Sequence, residues 1–462
     1  MTAPLWTADA IAAATGGSVS APFNAGGVCF DSREVIGGEL FVALKGETTD
    51  GHRFIPTALE RGAAGLLVST PADAPHVLVA DTTAALDALG RAARSRTAAT
   101  VIGVTGSVGK TGVKEALRAA LDRFAPGHTH ASVKSYNNHT GVPLSLSRMP
   151  ADSRFGIFEM GMNHSGELAV LTQLVRPNIA VITWIASAHR EFFASEEAIA
   201  DAKGEVFAGL EPGGIAIIPF DSVHRDRLIA HAKPHAARII TFGLGEGADV
   251  RALDYAILPD CTTATADVLG TRLTFKVGMA GRHWLGNALA VLAGVQAAGG
   301  DLALAGLALA ELSDLPGRGK RLRIARGDGS AVIIDESYNA NPASMAAALA
   351  VLGEIRPQRR GRRLAILGAM RELGSGSDDY HLGLAGAVTA AGVDRAILVG
   401  EEIKPLAATL RQKLSTLYVP DAAAALAAVN GELAEDDVLL VKGSNSVGLG
   451  RLVAELQGDV AS

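Results

Sequence analysis

The chain has 462 residues, a formal net charge of -6, 48% hydrophobic and 19% charged residues, and two cysteines. That length exceeds what one hydrophobic core supports and predicts roughly three domains. The mildly acidic balance leaves no basic surface of the kind a nucleic-acid backbone requires, so no nucleic-acid partner is expected, and Cys29 and Cys261, far apart and without metal-ligand spacing, read as reduced thiols.

The first ten residues carry no basic leader, and no run approaches the roughly 18 apolar residues of a membrane span, so a cytoplasmic protein without a membrane span is expected. A helix is predicted over 8–14 after Thr7, with strands at 27–30, 38–43, 65–68 and 76–80 and a helix over 54–62. These elements form a first unit, residues 1–97. Within it, Asp31, Ser32 and Arg33 follow a strand. A carboxylate, a hydroxyl and a guanidinium side by side make either a polar turn or a grip on a uridine or a diphosphate.

An alanine-rich polar stretch, 91–100, reads as the linker into a second unit, residues 98–315. Its opening organises the chain. Val101, Ile102 and Val104 make a short β-branched run, residues 113–121 have the spacing of a helix, and between them lie Thr105, Gly106, Ser107, Val108, Gly109, Lys110 and Thr111. Glycines let the backbone aim several N–H groups at one anion. The lysine adds a positive charge for the β- and γ-phosphates, and the threonine hydroxyl can join a Mg²⁺ shell at the helix N-terminus. The loop is a variant of the strict pattern, with Val104 where glycine is usual.

Strands predicted at 155–158 and 179–183 end near Glu159 and His189. In open parallel sheets ligands gather at the carboxyl ends of strands, so both side chains are expected to face the phosphates held by Lys110. Glu159 suits Mg²⁺, which prefers hard oxygen; a lone histidine is a softer ligand and more often structural. Lys203 sits on a predicted helix with Asp201 and Glu205, as a solvated lysine pairing with its neighbours would. Asn287, on a helix opening at Gly281, either reaches a base edge or caps and packs.

The basic, glycine-broken stretch 316–323 reads as a hinge into a third unit, residues 316–462, and carries Arg318 and Arg321. Strands at 331–334, 363–367, 395–399 and 438–441 alternate with helices, which predicts a second doubly wound sheet. Asp335, Tyr338, Asn339 and Asn341, and the stretches 368–374 and 442–446, stand at strand ends and are expected to face a ligand.

In that order, residues 105–111, 137–143, 159–161, His189, 202–205 and 335–342 resemble the motifs of the Mur ligases, over nearly the whole chain. The Asn-Asn-His-x-Gly-Val-Pro stretch at 137–143, the Ser-Tyr-Asn-Ala-Asn-Pro stretch at 337–342 and Val-Lys-Gly-Ser at 441–444 are similar to the branch that joins D-alanyl-D-alanine to UDP-N-acetylmuramoyl-tripeptide. The resemblance implies an α/β fold of three domains: a small uridine-binding domain, a central P-loop doubly wound domain and a C-terminal Rossmann-like domain. It implies ATP-dependent amide ligation in peptidoglycan synthesis with two Mg²⁺ ions. Lys110 and Thr111 match the phosphate and Mg²⁺ residues, Glu159 and His189 the protein metal ligands, and Lys203 a lysine that several members carry as a carbamate. Asn287, Arg318 or Arg321, and Asp335 match adenine and ribose contacts. Asp31, Ser32 and Arg33 match the uridine-diphosphate end; Asn137 and Asn138 join the substrate-binding set, and Tyr338, Asn339 and Asn341 match the segment that holds the incoming peptide.

Two departures accompany it. Ala369 stands where the family usually has aspartate, with Glu372 nearby as a stand-in, and Asn445 stands where a basic residue is expected. A P-loop ATPase of regulatory type and a folylpolyglutamate- or cyanophycin-type ligase are the rival readings. A monomer is expected, since no apolar heptad is legible.

Overall fold

Val101, Ile102 and Val104 are fully buried, and their β-branched side chains set the strand Thr100–Thr105 inside a nine-stranded sheet. The computed structural model describes residues 3–46, 49–187, 191–312, 317 and 319–458. Thr100–Thr105 pairs in parallel with Phe155–Glu159 on one side and Ile179–Ile182 on the other. Ile215–Pro219 and Arg238–Gly243 continue the parallel set beyond Ile179–Ile182, and Thr129–Ala131 closes the opposite edge.

Helices Lys110–Phe124 and Arg282–Ala297 cover one face through Leu117, Leu121, Leu289 and Leu292. Helices Glu167–Val175, Glu196–Gly204 and Arg225–Ala232 cover the other through Leu171, Ile199 and Leu228. Both faces are therefore buried, as an open parallel sheet requires. The sheet also extends through Val250–Ile257, Thr262–Val268 and Thr271–Val277, the last two pairings antiparallel. Leu269 and Gly270, both at positive φ (51° and 90°), make the two-residue turn of the final hairpin.

The first unit folds on five strands, in the order Ser18–Val19, His76–Leu78, Gly65–Val68, Glu39–Val42, Gly27–Cys29. The expected linker begins later than its composition indicates: helix Thr82–Ser95 absorbs residues 91–95. That last turn is held because Arg94, 6% exposed, donates from Nε to the carbonyl of Val175 (2.9 Å) and from Nη2 to that of Arg176 (2.7 Å), carbonyls at the end of helix Glu167–Val175.

The third unit is a six-stranded sheet. Gly329–Glu336, Val438–Lys442, Arg363–Gly368, Arg395–Val399 and Ser415–Val419 run parallel, and Lys320–Arg326 adds an antiparallel edge. The basic stretch read as a hinge is thus partly strand. Leu322 and Ile324 alternate inward between charged residues, and that period of two outweighs the charge run.

Candidate active site

The loop after Thr100–Thr105 is shaped by two glycines. Gly106 (φ 151°) approaches the next strand end so closely that a Cβ there would lie 2.0 Å from Thr183 Oγ1, and Gly109 (φ 86°) precedes helix Lys110–Phe124, where a Cβ would lie 2.6 Å from Asn287 Oδ1. Thr183 Oγ1 donates to the carbonyl of Val108 (2.5 Å), and Ser107 N–H donates to the carbonyl of Trp184 (2.8 Å). Lys110 folds back, Nζ donating to the Gly106 carbonyl at 2.7 Å. Ser107 Oγ is buried with no hydrogen-bond partner among the described residues, an orphan donor beside the helix N-terminus.

Glu159, 1% exposed at the end of its strand, meets this loop. Its Oε2 accepts from Thr111 Oγ1 (2.7 Å), its Oε1 from Asn137 Nδ2 (2.8 Å), and its own N–H donates to Ser132 Oγ (2.9 Å). Thr111 Oγ1 also lies 3.3 Å from Ser135 Oγ. A hydroxyl and a carboxylate side by side form a hard-oxygen pair that fits a Mg²⁺ ion beside a phosphate.

Lys203 is 1% exposed, and among the described residues no carboxylate pairs with it. The sequence expectation of a solvated lysine fails because Asp201 instead engages Arg227 and His231, while Glu205 accepts from Ser165 and Gly166. Burial, and then the charge of Lys110, push the Lys203 amine well below its usual range.

The loop opens into a cleft of about 1000 Å³ between the second and third units. Lys110, Thr111, Asn137, Glu159 and Asn287 line one wall, and Tyr338, Asn339, Asn341, Arg371, Glu372 and Asn445 line the other. Lys442 Nζ donates to the Asn339 carbonyl (2.8 Å) and to Glu336 Oε2 (3.3 Å). Asn341 caps helix Pro342–Glu354 in a reciprocal capping box with Ser344. Ala369 is fully buried, whereas Glu372, in the left-handed region at φ 63°, stands exposed at the cleft.

Several expected site residues are placed elsewhere. Asp335 is 6% exposed beneath the cleft; its carboxylate accepts from Gly317 N–H (2.8 Å), Ser337 N–H (3.1 Å) and Ser337 Oγ (2.6 Å), while its carbonyl accepts from Gly319 N–H (2.8 Å). Arg321, on the edge strand Lys320–Arg326, does not line the cleft. Asn138 turns back on its own chain, Oδ1 accepting from Thr140 N–H and Gly141 N–H. His189 and Arg318 lie outside the described residues.

Asp31, Ser32 and Arg33 also lie off the cleft, at the end of Gly27–Cys29. Arg33 Nη2 pairs with Asp31 Oδ2 at 2.7 Å, and that bond holds the Asp31 carboxyl below its ordinary range. The next residue ties the two units together. Glu34 Oε1 accepts from Lys134 Nζ (2.5 Å) and Tyr136 Oη (2.8 Å), and Phe30 packs on the Tyr136 ring at 5.6 Å. Residues 132–138 therefore run from the Asp31–Arg33 turn to Glu159.

Three family profiles cover most of the chain: the Mur ligase family, catalytic domain over 25–104, the Mur ligase middle domain over 104–295, and the Mur ligase, glutamate ligase domain over 320–445. The chain belongs to the Mur ligase family. The UDP-N-acetylmuramoyl-tripeptide--D-alanyl-D-alanine ligase of Escherichia coli (strain K12) is 35% identical to this Mur ligase over 447 residues, 93% of either chain. The crystal structure of MurF from Acinetobacter baumannii matches it with a TM-score of 0.83 at 30% identity, covering 98% of this chain and 99% of that one. MurF ligase from Thermotoga maritima, in complex with ADP, matches with a TM-score of 0.75 at 27% identity, covering 94% and 97%.

Sequence reading of this Mur ligase missed Glu34 and Lys134. Their meeting is a contact across a hundred residues, and the only local signal was the acidic residue directly after Arg33.

Proposed function

We propose that this Mur ligase joins D-alanyl-D-alanine to UDP-N-acetylmuramoyl-tripeptide at the expense of ATP, in cytoplasmic peptidoglycan precursor synthesis. The observation that carries the reading is the shared cleft: a phosphate loop on one wall faces the Asn339, Asn341 and Lys442 wall across a single cavity. Near full-length similarity to ligases of that name supports the substrates. The three larger sheets, within residues 18–78, 100–277 and 320–442, support division into domains 1–97, 98–315 and 316–462.

A carboxylate is a poor electrophile until its oxygen becomes a leaving group. The terminal carboxylate of the tripeptide attacks the γ-phosphorus of ATP; an O–P bond forms, the bond to the β-phosphate oxygen breaks, and ADP departs. The amine of the dipeptide then attacks the acyl carbon, phosphate leaves, and the amine's proton is released. Lys110 and the N–H groups of the phosphate loop stabilise charge on the transferring phosphoryl group. Thr111 and Glu159 are the residues that would hold Mg²⁺, with His189 joining them, and the ion supplies charge neutralisation where two anions approach. Lys203 fits a carbamate: burial disfavours its charged form, the neutral amine is the form that adds CO₂, and the product would supply oxygens for a second Mg²⁺. Asn287, adjoining Gly109, supports an adenine contact, and the Asp31–Arg33 turn supports a uridine-diphosphate site at the far end of residues 132–138. Closure of the third unit over the cleft would shield the acyl phosphate from water.

The test is phosphate release with UDP-N-acetylmuramoyl-tripeptide, ATP and Mg²⁺, with and without D-alanyl-D-alanine. Release that requires the dipeptide, with the pentapeptide product seen by mass spectrometry, supports the ligase; release indifferent to the amine refutes it. A carbamate ¹³C resonance after equilibration with ¹³C-bicarbonate, lost in Lys203→Met, tests the modification.

A further inference from the structure

Lys114 is a fully buried charge that the reaction leaves unused. It lies one helical turn beyond Lys110 and three residues beyond Thr111, and its side chain is 0% exposed. An ammonium group has three N–H donors. Here all three are engaged, with the carbonyls of Ser132 and Lys134 at 2.7 Å each and with Glu115 Oε1 at 2.7 Å.

The two carbonyls belong to the segment that surrounds Glu159. Ser132 Oγ takes the Glu159 N–H, Ser135 Oγ lies 3.3 Å from Thr111 Oγ1, and Asn137 reaches the Glu159 carboxylate and accepts the Gly161 N–H at 2.8 Å. Between them Lys134 sits in the left-handed region at φ 53°, a conformation that costs a non-glycine residue about 1 kcal/mol or more and persists only where neighbours enforce it. Its carbonyl is held by Lys114 and its ammonium by Glu34.

We propose that Lys114 is a positioning residue: it clamps residues 132–137 to the phosphate-loop helix and thereby sets the spacing of Thr111 and Glu159, the two oxygens offered to a divalent ion. This rests on the reading of those two residues as ion ligands. Lys114 touches neither substrate nor ion. It acts through the segment it holds, as outer-shell partners of metal ligands do, whose loss costs 10- to 100-fold in affinity.

The test compares Lys114→Met, Glu159→Gln and Val295→Ala, the last a buried change in the neighbouring helix that lowers stability without touching the segment. Hydrogen exchange on metal-free protein is the first readout. Lys114→Met is expected to speed exchange at the Glu159 and Gly161 amides about tenfold or more while strand Thr100–Thr105 stays protected, and Val295→Ala is expected not to do so. Mn²⁺ titration is the second, with binding weakened about tenfold in Lys114→Met and unchanged in Val295→Ala. Lys114→Met behaving as Val295→Ala in both readouts overturns the proposal. Mn²⁺ binding unchanged in Glu159→Gln overturns the ion-ligand reading instead, and the exchange data then decide the clamp alone. Lys114→Gln, which retains a donor, gives the same readouts where Lys114→Met does not fold.

Discussion

Gly106→Ala measures how tightly the phosphate loop is built. At φ 151° the added methyl sits 2.0 Å from Thr183 Oγ1 and 3.1 Å from Trp184 N. Thr183 has no easy escape: its N–H donates to the Thr105 carbonyl (2.9 Å), and turning its hydroxyl away forfeits the bond to Val108 (2.5 Å). Backbone strain of about 1–3 kcal/mol and one lost hydrogen bond of about 1 kcal/mol sum to about 2–4 kcal/mol. At 1.4 kcal/mol per decade this is roughly a thirtyfold to several-hundredfold effect. It is divided between unfolding free energy, read in urea, and the KM for ATP, because a loop that moves to admit the methyl no longer aims its N–H groups or the Gly106 carbonyl that anchors Lys110. A variant within twofold of wild type in KM and within about 0.5 kcal/mol in stability would refute the reasoning. The Gly106→Ala/Thr183→Ala pair checks the cause: if the hydroxyl is the obstacle, the double variant loses less than the sum of the singles.

Arg94→Met leaves two carbonyls at a helix end without their charged donor, so unfolding in urea should lose about 3 kcal/mol; a loss below about 1 kcal/mol contradicts the geometry. Glu34→Gln removes the countercharge of Lys134 and is expected to raise the KM for the UDP-linked substrate three- to tenfold, by roughly one kcal/mol of docking, with that for ATP unchanged; equal shifts in both would place Glu34 in a merely structural role. Burial holds the pKa of His130 at about 4, with its bond to the Ser145 carbonyl opposing that pull, against 6.5 for a free imidazole. The folded ring resists protonation, so its contribution is whole above pH 6.5 and drains away as pH falls toward 4, by at most about 3 kcal/mol for this partly exposed ring. His130→Gln should flatten the urea-stability curve across that window, and an unchanged slope excludes the assignment.

What the sequence made legible was local. Thr100–Thr105 and the helix from Lys110 were readable because β-branched burial, glycine and helical spacing lie within twenty residues of one another. Glu159 was readable because a strand's end dictates where its next side chain points. The hairpin through 262–277 escaped notice: its residues alternate at a period of two, but its turn uses Leu269 in a left-handed conformation where asparagine or glycine is the usual signal. The clamp by Lys114 and the Glu34 bridge were out of reach for another reason. A buried lysine and a surface lysine are written with the same letter, and only the return of a distant segment distinguishes them. Asp335 stands at a strand end as its position in the chain indicates, but the occupation of its oxygens by Gly317 and Ser337 could not be read from the sequence.

That occupation bears on the closure proposed for the third unit. With Gly317 and Gly319 pinned to Asp335, both glycines belong to the body of the third unit, so a closing rotation would turn no later than Gly317, and each residue so fixed withholds about 3.4 Å of reach. Rotation about such a point would carry Asn339 and Lys442, only a few residues from the axis or paired beside it, through small arcs, whereas the outlying strand Ser415–Val419 would sweep furthest. In the proposed closure the cleft wall would therefore be geared down relative to the rim of its own sheet.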